Sequence, residues 1–160
     1  MSFLHTLDNL ANEIRMWMRN NPNKSIENIR PLLQSYIGCD WRQYVAFSDT
    51  QYRSNLLPFT NIGDNFDMYL ICWKDGQSSK IHNHPQNGCI MKVLDGCLKE
   101  TRYPADLSST KKVVSYYQPD NISYIDDTIG FHMVGTSKDS ISLHIYSPPN
   151  FESKILEASY

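Results

Sequence analysis

The first part of the chain carries apolar residues at three- and four-residue intervals, the period of a helix with one buried face. This pattern predicts a helix over about residues 3–19 on Leu4, Leu7, Leu10, Ala11, Ile14 and Trp17. A second apolar pattern, through residues 29–37, predicts another helix that tolerates Pro31 near its first turn and ends at Gly38. We therefore expect residues 3–38 to be mainly helical.

From about residue 50 onward the apolar period changes to two, and short β-rich runs alternate with turn residues. The Asp95-Gly96 pair between two such runs is typical of a hairpin turn. This half predicts a mainly β fold, a β-barrel over about residues 41–149 preceded by α-helices. The predicted strands are Phe66–Trp73, Cys89–Leu94, Cys97–Tyr103, Lys112–Tyr117, Asn121–Ile125, Gly130–Val134 and Ser140–Tyr146.

Length and charge narrow the classes of protein that fit. The 160 residues suit one domain, residues 1–160. A formal net charge of −2 with mixed signs offers no basic face for nucleic acid, and no run of about 18 apolar residues predicts a membrane span. The four cysteines form no CxxC pair, which favours reduced thiols. We expect a cytoplasmic monomer without nucleic-acid or membrane partners.

The segment His82-Asn83-His84 is the first candidate for chemistry. We interpret it as part of a strand, where side chains two apart share a face and both imidazoles can reach one metal ion. The alternative is two polar residues on a solvated face. The spacing of the residues around the two histidines distinguishes a metal site from a solvated polar face.

Four spacings around the pair resemble the first metal-binding motif of the cupins, which are jelly-roll β-barrels. Gly76 precedes His82 by five intervening residues, Cys89 follows His84 after four, and Gly96 follows Cys89 after six. Cys89 stands where cupins usually carry a metal-binding glutamate. His132 lies where the second cupin motif places a further ligand, although a buried structural histidine is the alternative there.

Replacing the carboxylate changes the chemistry of the site. Two histidines and a carboxylate would leave a bound dication with one net positive charge, whereas three neutral imidazoles leave it with two. Such a centre favours an anionic ligand from the substrate. A thiolate is the soft, negative candidate.

A longer set of segments carries a further resemblance. The segments are Trp73, Ser78–His84, Cys89, Lys92–Thr101, Ile129–His132 and Ser142–Pro149. They are similar to the cysteine dioxygenase family, and the similarity covers about residues 41–149. The resemblance implies iron(II), one per chain, on His82, His84 and His132, and conversion of L-cysteine and dioxygen to cysteine sulfinate.

The resemblance also implies roles for other residues. Cys89 and Tyr146 match the pair that becomes joined by a thioether bond, and Tyr146 belongs with Ser142 and His144 to a hydrogen-bonded relay. These last three alternate along one strand and so share a face. Tyr52 matches an active-site tyrosine. Trp73 matches a tryptophan near the pocket, with plain core packing as the alternative.

One segment departs from the family pattern. The family holds the substrate carboxylate with an arginine in Tyr-x-Arg-Asn-Leu, whereas residues 52–56 here read Tyr-Arg-Ser-Asn-Leu. A shift of one residue along a strand turns a side chain to the opposite face, so Arg53 can serve only if the strand bulges. We predict such a bulge at Arg53-Ser54, with Arg53 binding the substrate carboxylate.

Three alternatives stay open. The departure at Arg53 favours another small thiol, such as 3-mercaptopropionate, as the substrate. Zinc or manganese on the same histidines would favour hydrolysis or isomerisation. A cupin that keeps the pocket without turnover would be a metal-binding or sensing protein.

Overall fold

The computed structural model describes residues 2–157 and begins with helices. Helix α1 spans Leu7–Asn20. Thr6 caps its N-terminus, because the N–H of Asn9 donates to the Thr6 hydroxyl at 3.1 Å. The predicted start near residue 3 is wrong because Leu4 is extended there: its N–H donates to the carbonyl of Ser35 at 2.8 Å. None of the helices in residues 2–157 has the length and apolar character to cross a membrane.

The second helix is shorter than the apolar pattern over residues 29–37 predicted. A 3₁₀ turn at Ile26–Ile29 leads into helix α2, Arg30–Ser35, with Pro31 in the first turn as predicted. The helix ends before Gly38 because the N–H of Ile37 donates to the Leu4 carbonyl. Gly38 allows a close approach instead, since a Cβ there would lie 2.2 Å from the carbonyl oxygen of His5.

Within residues 2–157 eight strands follow the helices, and the seven predicted from the sequence each lie within one residue of their expected bounds. The first strand, β1, was not among the predictions. Two further 3₁₀ turns cover Asp40–Tyr44 and Ser109–Lys111. The strands are β1 Arg53–Leu56, β2 Asp67–Trp73, β3 Cys89–Asp95, β4 Leu98–Tyr103, β5 Val113–Tyr117, β6 Ile122–Ile125, β7 Phe131–Gly135 and β8 Ser140–Tyr146.

The strands form two sheets rather than one closed barrel within the described residues. One sheet has the order β1-β2-β8-β3-β6 and the other β5-β4-β7, with antiparallel neighbours throughout. The hairpin predicted at Asp95-Gly96 is wrong, because β3 and β4 belong to different sheets. Gly96, at φ +82°, carries the chain from one sheet to the other, and a Cβ there would lie 2.2 Å from the Ser140 hydroxyl oxygen.

The five-stranded sheet is packed on both faces. One face meets the helices in a core that includes Met68, Leu70, Leu143 and Ile145 together with α1 residues such as Leu10. The other face turns toward the three-stranded sheet, where Ile71, Trp73 and Val93 pack with Leu98 and Val134. The period-two alternation of β2 and β8 therefore sends every second side chain into the space between the sheets.

Candidate metal centre and adjoining cavity

The three predicted histidine ligands meet between the sheets. One nitrogen from each lies within 4.8 Å of the other two, and the ring centroids are 4.5–5.3 Å apart. His132 comes from β7. His82 and His84 come from an extended segment, not from the strand we predicted, and His82 forms only isolated bridges, to His132 and to Ile155. Pro85, which lacks an N–H, follows directly and does not support continued pairing.

Each of these imidazoles has its outer nitrogen next to an oxygen acceptor. Nδ1 of His82 lies 2.7 Å from the Lys80 carbonyl, Nδ1 of His84 lies 3.2 Å from Asp127, and Nδ1 of His132 lies 2.8 Å from Glu100. Carbonyl and carboxylate oxygens only accept, so each Nδ1 carries the proton. Each Nε2 is then left with a lone pair.

The inner nitrogens fit a metal ion. Nε2 of His132 lies 3.1 Å from Nε2 of His82, and two lone pairs at that distance do not form a hydrogen bond. Nε2 of His84 is buried without a hydrogen-bond partner in the described chain, which is costly unless a cation binds there. Burial, followed by the repulsion that a protonated His132 would exert, lowers the pKa of His82 to about 4 and lowers that of His84 further. Neutral imidazoles are the form that binds metals.

Glu100 was not among our predictions, yet it is the most extensively bonded acid of the site. It is fully buried and accepts hydrogen bonds from His132, Arg102, Ser123 and the hydroxyl of Tyr117. Burial by itself would raise the pKa of Glu100, but the His132 hydrogen bond and the nearby positive charges outweigh it and lower the pKa to about 2. The carboxylate is thus ionised and fixes the orientation of His132.

A second set of side chains comes from β8. Ser142, His144 and Tyr146 alternate along this strand toward the space between the sheets, as the sequence predicted. The Ser142 hydroxyl oxygen accepts a hydrogen bond from Nε1 of Trp73 at 3.0 Å and lies 2.7 Å from Nε2 of His144. Ser142 is buried and its hydroxyl has no other acceptor among the described residues, so it donates to Nε2 and the His144 proton resides on Nδ1.

The Nδ1 proton of His144 is directed toward Tyr146, the last of the three β8 side chains. Nδ1 of His144 lies 3.5 Å from the Tyr146 hydroxyl and 3.9 Å from the Cys89 sulfur. If the tyrosine oxygen accepts from His144, its own proton is available to a molecule in the cavity. Burial lowers the pKa of His144 to about 3 and holds the pKa of Tyr146 well above its usual range, so both are neutral near pH 7.

Cys89 and Tyr146 are directly opposite each other on paired antiparallel strands. Side chains at such positions project from the same face, with Cβ atoms about 4.5–5.5 Å apart. Burial is the largest cause that raises the pKa of the Cys89 thiol, to about 12. The thiol is therefore protonated at neutral pH, next to the phenol.

A cavity of about 200 Å³ opens beside the histidines. Tyr52 and Trp73 stack on its wall with ring centroids 4.6 Å apart, and Tyr69 meets Tyr146 edge-on. The cavity has three kinds of lining, which are the histidines, the β8 side chains and a largely aromatic wall. Its lining also includes Ser54, Asp67, Ser79, Asn83, Val134, Phe151 and Ser153.

The geometry above can be compared with that of known protein families. The statistical description of the family "Cysteine dioxygenase type I" matches residues 4–157, nearly the whole described chain. The chain belongs to the cysteine dioxygenase type I family. The resemblance inferred from the sequence motifs is thereby confirmed.

Curated members of the cysteine dioxygenase type I family agree with this assignment. The human protein named cysteine dioxygenase type 1 is 32% identical over 134 residues, and the zebrafish (Danio rerio) protein of the same name is 33% identical over 135. Each alignment covers 78% of this chain. The matched part spans 66% of the length of these relatives.

Solved structures confirm the cupin fold. A Klebsiella pneumoniae protein with a double-stranded β-helix domain superposes with a TM-score of 0.57 at 18% identity, covering 72% of this chain and 93% of that one. An RmlC-like cupin from Desulfovibrio desulfuricans gives 0.51 at 20% identity, covering 65% and 89%. At these identities the likeness supports the fold alone.

One expectation taken from the cysteine dioxygenase pattern fails. The predicted bulge at Arg53-Ser54 is wrong, because β1 pairs with β2 in regular register. Arg53 lies opposite Cys72, whose side chain packs in the helix-side core, whereas Ser54 lies opposite Ile71 of the inner face. Arg53 is exposed and lies outside the cavity lining.

Sequence reasoning also missed the contribution of the chain's C-terminal part. Phe151 and Ser153 line the cavity. The N–H of Leu156 donates to the Ile81 carbonyl at 2.8 Å, and the N–H of Lys154 donates to the Asn83 side chain at 2.7 Å. No periodic signal marks this short segment, whereas Glu100 could have been noticed as a charge at an inward position of a predicted strand.

Proposed function

We propose that the protein is an iron(II)-dependent thiol dioxygenase that converts a small thiol to its sulfinate. The observation that carries the proposal is the convergence of three unprotonated imidazole nitrogens beside a cavity that also receives a tyrosine hydroxyl. Membership in the cysteine dioxygenase type I family supports the reaction class. Because the curated relatives are named cysteine dioxygenases, L-cysteine is the reference substrate.

The residues that would hold the iron are His82, His84 and His132. When bound there, iron(II) would supply coordination positions for a thiolate and dioxygen, and its undiminished charge favours the anionic sulfur. One thiol and one dioxygen give one sulfinic acid, so no further reductant is required.

The protein's own groups would act around that centre. Tyr146 would donate its hydroxyl proton to an oxygen atom in the cavity, while His144 and Ser142 hold it in that orientation. Tyr52 and Trp73 would shape the opposite wall and restrict entry of water. Glu100 would keep His132 turned toward the metal.

We propose in addition that turnover joins Cys89 to Tyr146. Their opposed positions on β3 and β8 support a thioether between the sulfur and the ring carbon ortho to the hydroxyl, with two hydrogens lost to dioxygen as oxidant. Intact-mass and peptide mapping after turnover would show the bond. A wild-type protein that turns over with Tyr146 never modified would contradict this proposal.

The test of function is oxygen uptake by the iron(II)-loaded protein with a panel of thiols, with the sulfur product identified. We expect uptake matched by sulfinate, and no uptake by protein loaded with zinc or manganese. Metal content after anaerobic purification separates the iron enzyme from a zinc or manganese cupin. Absence of uptake with every thiol would identify a binding or sensing cupin instead.

That the protein works as a cytoplasmic monomer stays a prediction. Light scattering on a size-exclusion column measures the molecular mass in solution and checks the oligomeric state.

A further inference from the structure

The cavity beside the histidines has few charged side chains in its described lining. Among the described residues that line it, Asp67 is the one carboxylate, and there is no lysine or arginine. Two arginines on strands β1 and β4 are directed elsewhere. Arg53 lies on the opposite face of its strand, and Arg102 is held by Glu100, Ser123 and the Tyr124 carbonyl.

Asp67 is placed close to the chemistry. It is directly opposite Tyr146 in the pairing of β2 with β8, so both side chains project from the same face. Its Oδ2 accepts a hydrogen bond from the N–H of Asn150 at 2.7 Å, which holds the carboxylate at this position. Tyr146 thus stands between an acid on β2 and Cys89 on β3.

The charges in the cavity should discriminate between thiols by the charged group that each carries away from the sulfur. A free carboxylate entering the cavity would lose water, find no lysine or arginine among the described residues that line it and face the negative charge of Asp67. An ammonium group would find that carboxylate and the faces of Tyr52, Tyr69 and Trp73, which attract cations. The short hydroxyl of Ser54, at the position expected for the anchoring arginine, cannot replace a guanidinium.

We propose that the preferred substrate is a small aminothiol that carries an ammonium group and no free carboxylate, of which cysteamine is the simplest. This inference rests on the thiol dioxygenase activity proposed above. A cavity of about 200 Å³ suits a molecule of that size. The reaction is the same, with one thiol and one dioxygen giving one aminosulfinic acid.

The experiment compares four thiols on the iron(II)-loaded protein: cysteamine, cysteine methyl ester, L-cysteine and 3-mercaptopropionate. Anaerobic calorimetry gives the dissociation constant of each without turnover, and oxygen uptake gives kcat/KM. We expect cysteamine and the ester to have dissociation constants about tenfold or more lower than that of L-cysteine and kcat/KM values about tenfold or more higher, the size of one charged interaction, with 3-mercaptopropionate weakest.

Two variants test the assignment to named residues. Asp67→Asn should weaken cysteamine binding by about tenfold while leaving 3-mercaptopropionate unchanged or improved. Ser54→Arg should improve binding of L-cysteine and 3-mercaptopropionate, because it restores a cation on the inner face. The matched control is Asp75→Asn, an exposed carboxylate outside the cavity lining, which should change none of these values.

The outcomes separate this inference from the function on which it rests. No uptake with any thiol would remove the dioxygenase proposal itself. Uptake that favours L-cysteine or 3-mercaptopropionate would leave the dioxygenase and overturn the aminothiol. A short peptide with N-terminal cysteine that outperforms cysteamine would also overturn it, since the proposed substrate is small.

Discussion

The two sides of the cavity use histidine in opposite ways. On the metal side, His82, His84 and His132 each have an oxygen acceptor at Nδ1, so lone pairs face inward. On the β8 side, Ser142 donates to Nε2 of His144, so a proton faces the tyrosine. The identity of the residue is the same on both sides. The hydrogen-bond partner on the far side of each ring sets which nitrogen carries the proton. This decides whether the ring binds a cation or orients a hydroxyl.

The largest effect should follow from removing a ring on the metal side. His132→Ala takes away one of three ligands and one of the four hydrogen-bond donors of the buried Glu100, so we expect iron binding and turnover to be lost. Iron content and oxygen uptake measure this. His5→Ala, at an exposed histidine, is the control. Full iron and activity in the His132 variant would refute the ligand assignment.

The β8 side should separate turnover from metal binding. Tyr146→Phe removes the inward hydroxyl, and we expect kcat to fall about 10²–10³-fold, as for the loss of one catalytic donor. His144→Ala should slow turnover less because the hydroxyl remains. Both variants should retain iron. Loss of iron in either would show that the two sides are not separate.

A smaller effect should follow when the outer acceptor of a ligand is weakened. Glu100→Gln keeps the shape and removes the charge behind His132, and we expect iron affinity to fall about 10–100-fold. Competition with a chelator measures the affinity, and circular dichroism checks the fold. Glu13→Gln, an exposed acid on α1, is the matched control. Unchanged affinity would mean that Glu100 serves only Arg102, Ser123 and Tyr117.

The smallest effect concerns pH and the metal-free protein. Burial, its largest cause, places the folded pKa of His144 near 3, below the unfolded value of about 6.5. The unfolded chain therefore takes up the proton first as pH falls. Stability from this group is complete above about pH 6.5 and is lost toward pH 3, by up to about 1.4 kcal/mol per pH unit. We expect the free energy of unfolding, measured by urea denaturation between pH 7.5 and 4.5, to fall less steeply with decreasing pH in His144→Gln than in wild type. An equal dependence on pH would disprove the burial effect.

Much of this fold follows from local pattern. Seven strands could be bounded within one residue because alternation is a property of neighbouring side chains. The partner of each strand could not be read in the same way. The Asp95-Gly96 pair has hairpin chemistry, yet Gly96 leads into another sheet, since pairing depends on distant strands.

The site shows the same limit. His82 and His84 could be named from spacing and His132 from the second cupin motif. Ser142, His144 and Tyr146 could be named from alternation together with the resemblance to the cysteine dioxygenase family. Arg53 could not be placed, because one residue of register decides its face and β2 sets that register. Glu100 and Asp127 were missed since their importance lies in contacts across 32 and 43 residues of sequence.

The bonds between residues 81–83 and 154–156 have a consequence for the order of events during synthesis. The Asn83 side chain and Lys154 are 71 residues apart, and His82 meets His132 across 50. Contacts of such long range form late, after the loop between them has been closed. A growing chain that has not yet emerged beyond residue 153 lacks the hydrogen-bond partners of Ile81 and Asn83, which flank the ligand His82. We expect metal uptake to follow the emergence and docking of residues 154–156, so that iron content reports on chains in which this part has folded.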